Sequence, residues 1–437
     1  MTSSLPSHIE KYLSKFSLDK WSLEGDEKKY DVIIVVPALE EFSGIKRLIN
    51  SLLKNDNQYL SKTLIVFVVN NLQDVTQEIK GDNQKALSYL RSIQAGTNRE
   101  LENYRALNLG VVDASSDGME LPSKDGGVGL ARKIGMDISL TKFNYQTNNN
   151  LLVCLDGDCE VETNYLEVLH KTSKENKPQG GYVNYEHPMP EEDDLRQAII
   201  CYEIFLRFYI LGLSYAKSPY AFHTIGSTMF CTPESYVKIQ GMNKRKAAED
   251  FYFMEKLSKI APIIAVGDTR VYPSNRSSWR VPFGTGQRVR RHLDKVQNEY
   301  LLYSFDSFRI LKDWNTIFFQ NDKLDPNYLL NEAKLISPSL FHFLVQQKFA
   351  ESWKKILSET SNIEQISKQK RFWFDGFRTL KLIHFLRDEQ YPLEPMFDVL
   401  DNAFKELNFD SLTRDKAEIV PPTQTQFKYL SILRQHY

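Results

Sequence analysis

The sequence predicts an α/β fold, in which a mostly parallel sheet flanked by helices is followed by an α-helical C-terminal region. Three apolar runs, DVIIVVP, TLIVFVVNN and LLVCLDGDCE, each stop at polar residues. Such runs are typical of strands buried on both faces, as in parallel sheets. Beyond Val296 the pattern changes to aromatic-rich helical stretches such as FHFLVQQKFAESWKKIL. We therefore expect an N-terminal lead over residues 1–29, a sheet domain over residues 30–295 and a helical region over residues 296–437.

The first two predicted strands are joined by a helix. A turn at Pro37 ends the first strand, and the second strand ends at Asn70 and Asn71. Between them, apolar residues recur at helical spacing, at Ile45, Leu48, Ile49 and Leu52. A helix that connects two fully buried strands implies parallel pairing and a right-handed crossover. The following chain, up to about residue 125, predicts an elaborated connection with a helical piece and a further strand, LNLGVVDAS.

The later part of the chain has weaker signals. We expect a helix over 190–217, a short strand over 227–231, a loop and helix over 233–257, and a loosely ordered tail after Pro421. The most apolar segment contains Glu203 and Arg207, which would be costly at the centre of a bilayer. The sequence thus predicts no transmembrane span and leaves peripheral membrane contact open.

Charge and cysteine content narrow the class of protein. The 55 Lys and Arg residues balance 56 Asp and Glu residues, so the net charge of -1 gives no general attraction to nucleic acid. Four cysteines are few for 437 residues and suit a reducing compartment. The N-terminus, MTSSLPSHIEKYLSKF, lacks the basic start and apolar core of a secretory signal. We expect a cytoplasmic protein without a nucleic-acid partner, and a position at the inner face of the membrane stays open.

The third apolar run delivers two carboxylates to the edge of the predicted sheet. Asp156 and Asp158 follow the strand and are separated by a single glycine. Ligands of open α/β sheets bind at the carboxyl ends of such strands. Two hard oxygen donors suit Mg²⁺ or Mn²⁺ holding a diphosphate. For this pair taken alone, an Asp-Gly turn that only ends the strand is the alternative.

Two common nucleotide-binding motifs are absent after the first strand. The residues there are PALEEFSG, which match neither the G-x-G-x-x-G fingerprint nor the G-x-x-x-x-G-K phosphate loop. This argues against a dehydrogenase or an ATPase. A glycine cluster, Gly126, Gly127 and Gly129, precedes a helix that carries Arg132. Its amides and the arginine could contact a phosphate, as helix N-termini do, or the glycines could form only a flexible entry to the helix.

Several short motifs, in the right order, resemble the family 2 glycosyltransferases of the GT-A fold. The first strand of that family ends in a P-A-Y-N-E-E-type sequence, matched here by residues 37–41 with Leu and Glu in place of Tyr and Asn. The second strand ends in two asparagines where D-D or D-N is usual. GLARKIG corresponds to G-x-A-R-N-x-G, and DGD corresponds to D-x-D. The resemblance covers about residues 30–295.

The resemblance implies a GT-A, Rossmann-like sheet that binds a nucleotide-diphosphate sugar. Asp158 would hold Mn²⁺ or Mg²⁺ directly, and Asp156 would contact the metal or the donor ribose. An amide at residue 70 can still hydrogen-bond the edge of the base. The residues expected to bind the donor are Pro37, Glu40, Glu41, Asn70, Arg132, Asp156, Gln287, Arg290 and Arg291.

An acidic pair, Glu249 and Asp250, corresponds to the acceptor helix of the family. Gly241 precedes it, where the family typically has a glycine-rich turn. We expect Asp250 to be the general base that takes the proton of the acceptor hydroxyl, with Glu249 as the second choice. A pair on the surface of a helix, among neighbouring lysines, is the alternative. His223 and Ser227 could line the donor pocket or be ordinary packed residues.

The segment SNRSSWRVPFGTGQRVRRHL is rich in arginine. Guanidinium groups bind phosphates bidentately, so these side chains could neutralise a leaving diphosphate, or form only a solvated basic face. They are Arg276, Arg280, Arg288, Arg290 and Arg291. Gln287, Arg290 and Arg291 resemble the Q-x-x-R-W motif of processive relatives, with Arg in place of Trp. This departure and the missing membrane helices favour a non-processive enzyme.

Together with these features, the resemblance implies a metal-dependent, hexosyltransferase-type glycosyltransferase that inverts the anomeric centre. Its acceptor would be a glycan, a lipid-linked molecule or a small molecule. A sugar nucleotidyltransferase is one competitor, and a catalytically silent domain that binds sugar nucleotide or glycan is another. We expect the C-terminal helices to serve acceptor recognition or assembly, including a homo-oligomer. Their aromatic residues, Trp353, Phe372, Trp373 and Phe374, can stack on sugars but at helical spacing are more often core.

Overall fold

A computed structural model describes residues 5–16, 19–25, 27–101, 106–276, 285–320, 323–360, 362–410 and 412–437, with residue 285 described by its backbone alone. Arg280 lies outside these residues. The chain forms two compact units. The first comprises Met1–Pro188 and Thr224–Asn275, and the second comprises Met189–His223 and Gly284–Tyr437. The segment Met189–His223 therefore groups with the C-terminal helices, although the sequence analysis assigned it to the sheet domain.

The first unit contains the sheet. Its strands are β1 Val32–Ala38, β2 Thr63–Asn70, β3 Asn108–Ala114, β4 Leu151–Cys154, β5 Glu160–Val161, β6 Gly180–Tyr185, β7 Met229–Cys231 and β8 Ile264–Tyr272. Its helices are α1 Ser7–Phe16, α2 Phe42–Leu52, α3 Asn57–Leu60, α4 Gln77–Gln94, α5 Val128–Ser139, α6 Tyr165–Glu175, α8 Pro233–Lys238 and α9 Glu249–Ser258, and a 3-10 turn spans Leu140–Lys142. The N-terminal lead is thus part of this unit, because Ile9 and Tyr12 of α1 are buried.

The strand order of the sheet is β3-β2-β1-β4-β7-β6-β8-β5. β1 pairs in parallel with β2 and with β4, and β2 pairs in parallel with β3. β7 pairs antiparallel with both of its neighbours, and β5 pairs antiparallel with β8. The predicted fold class, a mostly parallel Rossmann-like sheet flanked by helices with a helical C-terminal region, is confirmed.

The sheet has a switch point at β1. The chain runs outward from β1 through β2 to β3 on one side, and then crosses back from β3 to form β4 on the other side of β1. Every residue of β1, β2 and β4 is buried, as the uninterrupted apolar runs predict. In such sheets the crevice beyond the carboxyl ends at the switch point is the preferred place for a ligand. The candidate site is built there.

The second unit is helical. Its helices are α7 Asp193–Tyr215, α10 Thr285–Leu293, α11 Phe305–Phe318, α12 Pro326–Ile336, α13 Pro338–Gln346, α14 Phe349–Glu359, α15 Ile363–Trp373, α16 Gly376–Glu389, α17 Met396–Leu407 and α18 Thr423–His436, with two short strands, β9 Leu301–Leu302 and β10 Glu394–Pro395. Trp353, Trp373 and Phe374 are buried in an aromatic core, whereas Phe372 is exposed. For three of these four aromatic residues the core interpretation is therefore correct.

The expectation of a loosely ordered tail is wrong. Residues after Pro421 form α18, which buries Tyr429, Leu430 and Leu433. Arg434 of this helix forms two hydrogen bonds of 2.8 Å to the Glu203 carboxylate of α7. These apolar residues recur at helical spacing and pack one face of α18 against the unit. The polar residues between them make this spacing difficult to recognise in the sequence.

Helix α7 is long and apolar enough, by length and composition, to cross a membrane. However, 67% of its most apolar window is buried within the protein, which is typical of a core helix. Glu203 and Arg207 are fully buried and form an ion pair of 2.8 Å. Their pairing inside the helical unit explains how an apolar helix accommodates both charges.

Candidate active site

The turn after β4 packs closely against the start of α2. A Cβ atom added to Gly44 would lie 2.6 Å from the carbonyl oxygen of Gly157 and 2.8 Å from Oε2 of Glu41. A Cβ atom added to Gly157 would lie 3.3 Å from Cβ of Glu41, so Gly157 packs against the aliphatic part of that side chain. The Asp-Gly-Asp turn and the residues that follow β1 therefore form one packed surface. Glycine at residues 44 and 157 is what allows this approach.

Arg132 of α5 joins the two acidic motifs. Its guanidinium donates to the Asp156 carboxylate through Nη2 and to the Glu249 carboxylate through Nη1. The Arg132 and Glu249 side chains are buried, whereas 36% of the Asp156 side chain is exposed. Burial lowers the pKa of Arg132, but Asp156 and Glu249 more than offset this effect and raise it above the ordinary value. Arg132 is therefore a fixed cation between the strand-end turn and α9.

Two glycines make room for this arrangement. A Cβ atom at Gly226 would collide with the guanidinium of Arg132, so the loop before β7 covers the arginine with bare backbone. A Cβ atom at Gly129 would lie 2.9 Å from the Asn243 carbonyl oxygen and 3.1 Å from Cβ of Glu249. Of the predicted glycine cluster, Gly129 thus allows α5 to pack closely against the start of α9 and the turn before it. In addition, the Asn243 amide donates to the carbonyl oxygen of Glu249 at 2.9 Å, which holds the turn before α9.

Asp250 lies in the first turn of α9, next to this pair. Its Oδ1 accepts a hydrogen bond of 2.7 Å from the amide of Phe251. Burial, and then the neighbouring Glu249 carboxylate, raise the pKa of Asp250 to about 7, although Arg132 acts in the opposite direction. A carboxylate with this pKa can accept a proton near neutral pH. Of the predicted pair, Asp250 has the protonation behaviour of a base, whereas Glu249 is occupied by Arg132.

The predicted residues after β1 and β2 have mainly backbone partners. Glu40 has a left-handed conformation, with φ at 55°, and its amide donates to Oδ1 of Asn83 at 3.0 Å. The Asn70 amide donates to the carbonyl oxygens of Ala38 and Val68, both at 3.1 Å. Asn70 is buried and uses its donors to tie the two strands together. Contact of Asn70 with a donor base stays a prediction, and only its Oδ1 would be available for it.

The three predicted donor-binding residues of the arginine-rich segment belong to the second unit. Gln287, Arg290 and Arg291 lie on α10. Arg290 pairs with Asp294 at 3.0 Å, and Arg291 pairs with the buried Glu299 at 3.0 Å. These ion pairs account for a large part of the basic character of the helix, so the role of α10 in donor binding stays a prediction.

His223 and Ser227 are both buried, but in different units. Burial, and then the neighbouring Arg207, lower the pKa of His223 to about 3. His223 is therefore neutral near pH 7. This agrees with the packed-histidine alternative.

The carboxylates of the Asp-Gly-Asp turn suit a divalent cation that is coordinated by both the protein and the substrate. Among the residues that the structure describes, no group of three His, Cys, Asp or Glu side chains could hold a metal ion. Asp156 and Asp158 provide two carboxylates on one turn, and Asp156 has one oxygen beyond its contact with Arg132. Mg²⁺ is commonly bound by one or two carboxylates together with substrate phosphates. The carboxylates of both acidic motifs outnumber the guanidinium that joins them, and this excess of negative charge favours a cation.

A second buried network, which the sequence did not predict, anchors α5 through Lys133 and Asp137. Lys133 donates to Asp137 at 2.7 Å and to the Tyr12 hydroxyl at 2.9 Å. The hydroxyl groups of Tyr12 and Tyr236 both donate to the other Asp137 oxygen, at 2.8 and 2.7 Å. Gly241, with φ at 72°, lets the Tyr12 hydroxyl approach its backbone. The N-terminal helix thus fixes the helix that carries Arg132, and only the hydrophobic spacing of α1 hinted at its packing.

Comparisons with known proteins give likenesses to solved structures. S. aureus TarS 1-349 is 13% identical over 83% of this chain and 93% of that chain, with a TM-score of 0.38. The same TarS fragment in complex with UDP-GlcNAc is 15% identical over 80% and 91%, with a TM-score of 0.39. The mannosyltransferase PcManGT from Pyrobaculum calidifontis, in complex with GDP-Man and Mn²⁺, is 14% identical over 87% and 93%, with a TM-score of 0.36. No family model and no curated protein sequence matches the chain. At these values the function has to be inferred from the site itself.

Proposed function

We propose that this chain is a metal-dependent glycosyltransferase. It transfers a sugar from a nucleotide-diphosphate sugar to an acceptor hydroxyl, non-processively and with inversion. The observation that supports this most is the pair of contacts through which Arg132 joins Asp156 to Glu249. These contacts join the Asp-Gly-Asp turn after β4, which is suited to a metal ion, to the start of α9, which carries the proposed base. The two motifs are far apart in the sequence but lie in one site at the switch point of the sheet.

The roles follow from burial and charge. Asp158 and the second oxygen of Asp156 are the groups that would hold Mg²⁺ or Mn²⁺, and such a cation would supply charge neutralisation for the diphosphate of the donor. Arg132 keeps the strand-end turn and the start of α9 at a fixed separation, so the two motifs cannot drift apart. It is too buried to be a free phosphate ligand, and its role is one of positioning.

Asp250 is the proton acceptor. Its pKa of about 7 leaves a substantial fraction of the carboxylate ionised at neutral pH and makes it basic enough to take the proton of an attacking hydroxyl. Attack of that oxygen on the anomeric carbon, with departure of the nucleoside diphosphate from the opposite face, inverts the centre. No nucleophile from the protein is needed.

Two other functions are compatible with parts of the site. A silent sugar-nucleotide-binding domain is favoured by Asn70, whose amide is occupied by backbone carbonyl oxygens. A sugar nucleotidyltransferase would also use a metal at strand ends, but it has no need of a base on α9. These alternatives predict different products and can be separated by one set of assays.

The test is nucleotide release by the full chain from a panel of sugar nucleotides with Mn²⁺, with and without candidate acceptors. We expect release of nucleoside diphosphate that EDTA abolishes. In Asp158→Ala the rate of this release should fall by about a hundredfold or more, because removing one positioned electrostatic group lowers a rate by about 10²–10³. Glu160→Ala, on an exposed side chain two residues further on, is the matched control and should behave as wild type.

Three outcomes contradict the proposal. Full activity in EDTA would exclude the metal. Binding of sugar nucleotides without release for any acceptor would indicate a silent domain. Release of pyrophosphate from a nucleoside triphosphate and a sugar phosphate would indicate a nucleotidyltransferase.

A further inference from the structure

The corner between α15 and α16 exposes two phenylalanines. Phe372, near the end of α15, is 51% exposed, and Phe377, near the start of α16, is 39% exposed. The aromatic residues between them, Trp373 and Phe374, are buried. A stretch of four aromatic residues thus divides into two that fill the core and two that face solvent. Exposed large apolar side chains grouped in this way often mark an interaction surface.

Basic side chains surround both phenylalanines. Lys368, Arg371 and Phe372 have helical spacings of three and four residues, so they share one face of α15. Phe377 and Lys381 share a face of α16, and Nζ of Lys381 lies 4.6 Å from the centre of the Phe377 ring. All five of these residues are exposed. We call this set, Lys368, Arg371, Phe372, Phe377 and Lys381, the basic aromatic corner.

Basic residues outnumber acidic residues around the corner. From residue 364 to residue 389 the sequence has six Lys and Arg residues and four acidic residues, which are Glu364, one helical turn before Lys368, together with Asp375, Asp388 and Glu389. Asp375 caps α16, because its Oδ1 accepts the amide of Arg378 at 2.8 Å. Of the six basic residues, Lys370 is buried and Arg387 pairs with Asp388 at 2.7 Å. The charge that the corner presents to solvent is therefore positive, although the whole chain has a net charge of -1.

The corner rests on a rigid base. The ring centres of Phe349 and Trp373 are 4.8 Å apart, and the Arg378 guanidinium lies 4.3 Å from the ring centre of Trp373. The same core includes Trp314 and Phe318, whose rings stack at 5.0 Å. The exposed phenylalanines therefore extend from a packed platform, and little conformational entropy is lost when they enter a partner.

We propose that the basic aromatic corner docks on an anionic phospholipid surface. The two phenyl rings enter the boundary between head groups and acyl chains, while the three basic side chains contact lipid phosphates and carboxylates. Exposed aromatic side chains next to exposed basic side chains are typical of interfacial membrane binding. The acidic partner is assigned by charge complementarity, and the membrane is assigned by the two apolar rings. The proposal does not depend on the transferase activity of the first unit.

The test is co-sedimentation of the full chain with vesicles of phosphatidylcholine, with and without phosphatidylserine. We expect binding to the anionic vesicles only, weakened by salt. Replacement of Lys368, Arg371 and Lys381 by Gln should weaken binding by about fivefold for each charge removed. Replacement of both phenylalanines by Ala should weaken it further at high salt, where the electrostatic part is screened.

Matched variants make the result specific. Gln at the exposed lysines Lys85, Lys174 and Lys238 removes the same charge from the first unit. Leu335→Ala removes the side chain of a leucine that is 81% exposed elsewhere in the second unit. Both variants should bind anionic vesicles as wild type does.

The proposal is overturned if binding does not require phosphatidylserine, or if the control variants lose as much binding as the corner variants. It is equally overturned if the corner variants lose binding to single-stranded nucleic acid while vesicle binding is absent or unchanged. In that case the basic and aromatic residues would serve base stacking and phosphate contact.

Discussion

Two buried ion clusters, one in each unit, have opposite compositions. In the first unit one guanidinium, from Arg132, contacts two carboxylates, and the Asp156 side chain remains 36% exposed. In the second unit one carboxylate, from Glu203, contacts the guanidinium groups of Arg207 and Arg434. Glu203 and Arg207 are fully buried, and the Arg434 side chain is 12% exposed. The first cluster is acidic and open to solvent, and the second is basic and closed.

This difference distinguishes a candidate active site, in the first unit, from a cluster that only stabilises the fold, in the second unit. We call the second cluster a structural lock. An open cluster with excess carboxylate can be completed by a cation and its phosphate ligand. The closed cluster ties α18 to α7. Buried charges alone therefore do not indicate a functional site. In a buried ion cluster, a carboxylate oxygen that solvent can reach is the feature that indicates one.

Arg132→Met should remove the cation of the open cluster. We expect the free energy of unfolding to fall by about 3–5 kcal/mol, because two carboxylates lose their counter-charge in a buried position. Metal-dependent nucleotide binding should be lost as well. Urea unfolding and calorimetric titration measure the two effects. Arg47→Met, on an exposed side chain of α2, should change stability by no more than about 0.5 kcal/mol.

Glu203→Gln should break the closed cluster. Loss of the carboxylate leaves two buried guanidinium groups with less compensation, so we again expect a loss of about 3–5 kcal/mol in urea unfolding. Nucleotide binding should be unchanged under conditions where the protein stays folded. Glu351→Gln, at an exposed position of α14, serves as the control. If Glu203→Gln removes nucleotide binding from folded protein, the contrast between lock and site is wrong.

Asp250→Asn should lower sugar transfer by about 10²- to 10⁴-fold with little change in donor affinity, the usual range for a lost general base. In wild type, kcat/KM should rise with pH up to about 7 and then level off, because the pKa of Asp250 is raised to about 7. A loss of donor affinity without a change in turnover at saturation would instead assign Asp250 to binding.

The raised pKa of Asp250 should also affect how the free energy of unfolding depends on pH. A carboxyl group with a raised pKa in the folded state contributes stability at low pH, and this contribution is lost as pH rises through about 7. The free energy of unfolding of Asp250→Asn, minus that of wild type, should therefore be larger at pH 8 than at pH 4. The opposite trend in unfolding measurements would contradict the assigned pKa.

Gly226→Ala should cost about 1–3 kcal/mol, because the added Cβ atom meets the buried guanidinium of Arg132. Gly81→Ala is the matched substitution, since a Cβ atom there meets nothing within 4 Å inside helix α4. It should stabilise the protein by about 0.5–1 kcal/mol. Equal effects of both substitutions in thermal unfolding would show that Arg132 can move away from Gly226.

The apolar runs of the sequence were sufficient to predict β1, β2 and β4, the parallel pairing of β1 with β2 and the helix between them. A run of residues that are all apolar can be satisfied only by burial on both faces, so local composition carries this information. The Asp-Gly-Asp motif was identified in the same way, since its residue types limit the chemistry, whereas the Glu-Asp pair was identified through the resemblance to the family 2 glycosyltransferases. The short strands β5 and β6 were not predicted, because their pattern is set by neighbours distant in the sequence.

Tertiary structure decided how the identified residues are used. Arg132 was predicted to meet a phosphate, but packing against Gly226 buries it between Asp156 and Glu249. Asn70 was predicted to meet a base, but the spacing of β1 and β2 directs its amide to backbone carbonyl oxygens. Residue type fixes which bonds a side chain can form. Which partners it receives depends on contacts between distant segments, and the sequence does not specify those contacts locally.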